Sequence, residues 1–181
     1  MSTLVIKELS APTGEVIKVA AGKTLDLKSQ GSVTMPTGSV LQVVSATTNA
    51  ISTTTSTSFI DISGLSVAIT PRSASNNILI MFTIGATGNS GGVMNFNIVR
   101  DGTAIAQPAT GTNPATINMY SGADLGIWSG GMTWLDSPST TSATTYKIQY
   151  RTDTGTLVFN RHTANVNYNA VSAITLMEIQ G

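Results

Sequence analysis

The 181-residue chain carries few side chains able to do chemistry near neutral pH. His162 is its one histidine, and it stands in Asn160-Arg161-His162-Thr163, with no serine in a glycine elbow and no neighbouring carboxylate to orient the ring. That setting predicts a surface or interface histidine, not a general base. There is no cysteine, which excludes a thiolate nucleophile, a thiolate metal site and a disulfide framework together. The carboxylates Glu8, Glu15, Asp26, Asp61, Asp101, Asp124, Asp136, Asp153 and Glu178 are scattered, mostly in turn sequences, with neither an acid pair nor the spacing of a calcium loop. Ala20-Ala21-Gly22-Lys23-Thr24 resembles the end of a phosphate-binding loop. Ile17, however, stands where that loop needs a glycine, and no helix pattern follows, so the segment reads as a turn. No catalytic residue, metal site or cofactor is expected, and the chain is expected not to be an enzyme.

Binding chemistry is better represented. Trp128, Trp134, Tyr120 and Tyr168 are the residues suited to a sugar, because an aromatic face covers apolar C–H groups while amides and carboxylates hold the hydroxyls. Asn118 and Asp124 supply the polar part, with Asn165, Asn167 and Asn169 nearby in sequence to Tyr168. The competing expectation is that both tryptophans fill a core or a subunit interface.

Hydrophobic residues make up 41% of the chain and charged residues 10%, against a usual charged share of about 25%. Nine basic residues balance nine acidic ones, which disfavours nucleic acid and anionic lipid as partners. No stretch approaches the length of a membrane span, so membrane insertion is not expected. The opening Met-Ser-Thr-Leu-Val-Ile-Lys lacks the pattern of a signal peptide, so the chain is expected to be made in the cytoplasm.

The elements that must position these residues are strands. Residues 1–38 hold four of the five lysines and read as short apolar pieces, Leu4–Ile6, Val16–Val19, Thr24–Leu27 and Ser32–Met35, separated by glycine and proline turns. Strands of that length cannot close a core within one chain. The segment is therefore expected to be an interchain β arm for attachment and trimerisation, against the alternative of a disordered arm that orders on docking.

From residue 39 to 181 the pattern changes to longer strands of period two. Ser39–Ser45 opens this domain, and Phe59–Ile62 and Leu65–Ile69 read as a pair joined by Ser63-Gly64. Asn77–Ile84 is apolar on both faces, which suits a central strand or one facing a subunit neighbour. Asp101-Gly102 is the strongest hairpin signal. Trp128–Asp136 with its glycine pair, the alternating Tyr146–Arg151, Thr156–Asn160 and Ala173–Ile179 complete the set. The segment 108–125 reads as a loop long enough to carry a function. Eight or nine such strands without helices predict an all-β fold, an antiparallel β-sandwich of jelly-roll type.

Met35–Val44, Ile69–Ile80, Leu135–Tyr146 and Ile174–Ile179 together resemble small tail-fibre-like virion proteins of marine bacteriophages. The resemblance spans nearly the whole chain and rests on strand and turn signatures, none of them catalytic. It implies a homotrimeric structural protein of the virion, a short tail fibre held to other virion proteins through residues 1–38 and contacting a host cell-surface glycan through its head. A capsid decoration protein fits the length equally well, and a polysaccharide depolymerase is the enzymatic alternative.

Overall fold

The computed structural model describes residues 21–23, 35–89, 91–121 and 128–181. The chain divides into two units, Met1–Thr34 and Met35–Gly181. In the first, Ala21–Lys23 is described and forms the expected turn about Gly22, whose φ is 72°. The short strands expected in the arm lie outside the described residues.

The second unit is all-β, with eleven strands and no helix among the described residues. It opens with a turn in which Ser39 N–H donates to Pro36 O (3.1 Å) and Gly38 takes a φ of 86°, the geometry that favours glycine at the third turn position. The strands are β1 (Val40–Thr48), β2 (Ser52–Thr54), β3 (Ile60–Ile69), β4 (Asn77–Asn89), β5 (Gly92–Arg100), β6 (Thr103–Ile105), β7 (Ile117–Ser121), β8 (Trp128–Asp136), β9 (Thr144–Thr152), β10 (Leu157–Phe159) and β11 (Ser172–Ile179).

Every pairing between them is antiparallel. In the first sheet β1 pairs with β11, β11 with β4 and β4 with β8, while β10 and β2 continue the lines of β11 and β1 beyond a break. In the second sheet the order is β3-β9-β5, and β6 and β7 follow one another along the remaining edge of β5. Successive strands mostly alternate between the two sheets. The connection β5 to β6 stays within one, and it is the expected Asp101-Gly102 hairpin. Both turn residues have positive φ, 46° and 88°, as a primed turn requires.

One apolar core lies between the sheets. Ile78, Ile80, Phe82 and Ile84 of β4 and Ile174 and Leu176 of β11 meet Met94, Phe96 and Ile98 of β5 and Tyr146, Ile148 and Tyr150 of β9. β9 follows the period-two expectation along its length, with Thr144, Tyr146, Ile148, Tyr150 and Thr152 buried and the residues between them half-buried. Truncating a side chain as enclosed as Phe96 would cost about 3–5 kcal/mol.

Three expectations need correction. Phe59–Ile62 and Leu65–Ile69 are not a hairpin: Ile60–Ile69 is a single strand along β9, with the register shift between Asp61 and Ser66 absorbing the Ser63-Gly64 pair as a bulge. The segment 108–125 is not loop throughout, because Ile117–Ser121 pairs with β5 as β7. The acids are not mainly turn residues among those described, since Asp61, Asp136 and Glu178 stand in strands.

The glycine pair of β8 has a steric cause at Gly131. A Cβ there would lie 2.3 Å from the backbone oxygen of Phe82, so the close approach of β8 to β4 admits no side chain.

Candidate functional site

On β5 the side chains on the face away from the core are also buried: Asn95 (2% exposed), Asn97 and Val99. A polar layer covers them. Asn97 Oδ1 accepts from Gln107 Nε2 (2.9 Å) and from the Thr116 backbone N–H (3.2 Å), and Thr116 Oγ1 in turn accepts from Ile98 N–H (2.9 Å). The segment after β6 is thereby laid over the outer face of the second sheet, with its polar groups satisfied as burial demands.

Next to this cover lies a more exposed surface. Register places Asn118 of β7 opposite Asn95 of β5, which in turn lies opposite Arg151 of β9, so the three form one row across the outer face. Asn95 Nδ2 donates to Asn118 Oδ1 (2.6 Å), and Arg151 Nε donates to Asn95 Oδ1 (3.0 Å). Arg151 also donates through Nη1 to Thr57 O (3.3 Å) and through Nη2 to Asn113 Oδ1 (3.2 Å), and its guanidinium carbon lies 4.7 Å from the Phe59 ring centroid. Tyr120, two residues beyond Asn118 and therefore on the same face, is 67% exposed. A ring standing free beside a rigid set of amides and a guanidinium is equipped to bind a sugar: the ring takes an apolar face, the amides take hydroxyls.

Of the sugar-binding residues expected from the sequence, the structure brings Asn118 and Tyr120 together on this face. Trp128 and Trp134 share one side of β8 but stand six residues apart, roughly 20 Å along a strand, so one sugar ring cannot stack on both. Neither tryptophan belongs to the core cluster; both lie partly exposed, at 43% and 38%. Tyr168 lies in the excursion between β10 and β11, where its ring meets His162 edge-on at 6.3 Å. Asp124 lies outside the described residues. Sequence reasoning missed Arg151, Asn95, Asn113 and Phe59. The alternation of Tyr146–Arg151 placed Arg151 on the outer face, but its partners come from three separate segments that no local pattern links.

His162 has a structural occupation. Its Nδ1 accepts from the backbone N–H groups of Ala164 (3.0 Å) and Asn165 (2.9 Å), closing the turn at the tip of the excursion. Two further polar centres tie strands together. Arg100 Nη1 reaches both carboxylate oxygens of Asp136 (2.9 and 2.8 Å), and Tyr146 donates its hydroxyl to Asp136 Oδ2 (2.6 Å), which fastens edge strand β8 to the opposite sheet. Burial, with the Asp136 carboxylate, pushes the Tyr146 hydroxyl well above its ordinary value of 10.0. Glu178, with no exposure, accepts from Gln42 Nε2, Arg72 N–H and Asn76 Nδ2, all at 2.6 Å. Burial alone would raise its pKa, but the Asn76, Arg72 and Gln42 hydrogen bonds, with the charge of Arg72, bring it below the ordinary 4.5.

The outer face of the first sheet differs from that of the second. Val43, Met177, Leu79 and Leu135 lie in one register row across β1, β11, β4 and β8, and Val43 and Leu135 are 53% and 52% exposed. The next row is Ser45, Thr175, Met81 and Thr133, so eight positions pass without a charge.

No protein-family model matches the chain, and no curated protein matches it in sequence.

Proposed function

We propose that the chain is a non-enzymatic virion protein of a bacteriophage, a short homotrimeric fibre whose head binds a host cell-surface glycan. The observation that carries the binding half is the exposed Tyr120 ring beside the Asn118, Asn95 and Arg151 network. The layout of the sandwich supports it. Gly38 N–H donates to Gln180 O and Gly181 N–H to Asn76 Oδ1, so the junction with the preceding residues lies at the end where β4 begins. Tyr120 and Trp128 pair with Val93 and Thr87, at the opposite end. Aromatic rings gathered at one end of the sandwich suit attachment. The two interleaved sheet orders support reading the sandwich as a jelly roll, an architecture that lectin and viral capsid domains share.

The uncharged apolar row on the first sheet supports the trimer, since burying it against another copy strands no charge. Residues 1–38 then serve as the arm that reaches other virion proteins. Several trimers per particle make weak individual contacts sufficient. The test is glycan-array binding by the full chain and by Tyr120→Ala. Binding by the wild type, reduced about tenfold in the variant at unchanged melting temperature, is the expected result, because an exposed ring contributes to a ligand and little to the fold. A wild-type chain that binds no glycan and does not attach to host cells would remove the binding half. The same apolar row would also brace neighbouring capsid subunits, and copy number per particle separates that decoration role from a fibre.

A further inference from the structure

Two other cations stand on the strands of the second sheet, and each has an acid. Arg100 pairs with Asp136 and Lys147 with Asp61, both within 2.8 Å. Arg151 has none among the described residues. Its three hydrogen bonds go to neutral oxygens, of Asn95, Thr57 and Asn113. Asp153, two positions on, turns its Oδ1 to the Val93 N–H (2.5 Å). A guanidinium has five N–H groups, so two remain unspent on a group whose orientation is already fixed by three bonds and the Phe59 ring. Immobilising an arginine normally costs side-chain entropy at the moment of binding; here that cost is met in the free protein. Among the described residues no carboxylate forms an ion pair with it, and its side-chain hydrogen-bond partners are the amides of Asn95 and Asn113.

We propose that this surface selects carboxylate-bearing sugars, uronic or sialic acids, with the carboxylate on the free N–H groups of Arg151 and the sugar ring against Tyr120. This rests on the glycan-binding reading above and adds the ligand class. Tyr120 lies two strands across and two residues along from Arg151, roughly 12 Å between backbones, a gap the two side chains and one or two sugar rings span. Planar two-point recognition of a carboxylate is what arginine does better than lysine. Asn113 and Asn118, both exposed, flank the path and offer hydrogen bonds to hydroxyls.

The experiment compares polygalacturonate, hyaluronan and sialyllactose with their carboxyl-reduced counterparts, on the full chain and on Asn113→Asp and Arg151→Lys. Asparagine to aspartate at 113 keeps the acceptor for Arg151 Nη2 and adds the missing negative charge, so the fold is retained while the cation is neutralised. The expected result is binding of at least one acidic glycan about tenfold or more above its reduced form, weakening with salt, and lost in Asn113→Asp and Arg151→Lys. Unchanged melting temperatures establish that the variants fold. Equal binding of acidic and reduced forms, or full acidic binding by Asn113→Asp, would overturn the proposal and leave the glycan reading standing. Binding of no glycan, acidic or neutral, would overturn both.

Discussion

Glu178 sits on β11 with its carboxylate shared between Gln42 of β1 and Arg72 and Asn76 of the β3–β4 connection, and no cation among the described residues forms an ion pair with it. Glu178→Gln keeps the volume but turns an acceptor into a donor facing donors, so at least one bond is lost with its partner left buried; a loss of about 2–3 kcal/mol at pH 7 is expected from urea unfolding. The folded pKa lies below the unfolded value near 4.5, so in that window the unfolded chain binds more protons and stability rises with pH. The Glu178 contribution is complete above pH 4.5 and is lost as the pH falls through the depressed folded value. Urea midpoints taken between about pH 3 and 6 should therefore fall more steeply with acid in the wild type than in Glu178→Gln. At this scale the sequence was least informative. Glu178 follows Met177 in an apolar run and carries no sign that Gln42, Arg72 and Asn76 converge on it, because all three are more than one hundred positions away. Tyr120 and Asn118 were legible as residue types, and their common face became so only once β7 had a partner.

Strand β8 shows what an element can demand of a single position. Gly131→Ala would drive a Cβ into the Phe82 carbonyl, and since the obstacle is backbone the strands must part; a loss of about 1–3 kcal/mol, with weakened amide protection along β8, is the expected outcome in hydrogen exchange. The long alternating strands, β5, β9 and β11, could be read from period-two pattern alone, and so could the Asp101-Gly102 hairpin. β7 could not: Ile117 and Met119 point to the core and Asn118 and Tyr120 away, but four alternating residues among Pro114, Gly111 and Gly122 fall below any usable signal. β3 was divided in sequence because Ser63-Gly64 has the composition of a turn. In the fold the same pair becomes a bulge, since β9 continues as one partner on both sides of it.

For the whole molecule, light scattering on the full chain should give three times the 18.7 kDa protomer mass. Leu135→Glu together with Met177→Glu places two charges in the apolar row and should release protomers whose melting transition is retained, because neither side chain belongs to the core. A wild-type protomer that stays single at high concentration would remove the trimer from the proposal. The two-sheet architecture was legible from strand number and spacing, whereas the pairing of strands distant in sequence was not, because composition is silent on which strand meets which.

The latest in chain order of the described strands, β11, lies between β1 and β4 and joins them. While the ribosome still holds it, β1 has no neighbour in its sheet and the first sheet is open through its middle. Folding of this half must therefore wait until β11 has left the ribosome, and any premature stop upstream of residue 172 leaves a chain that cannot close.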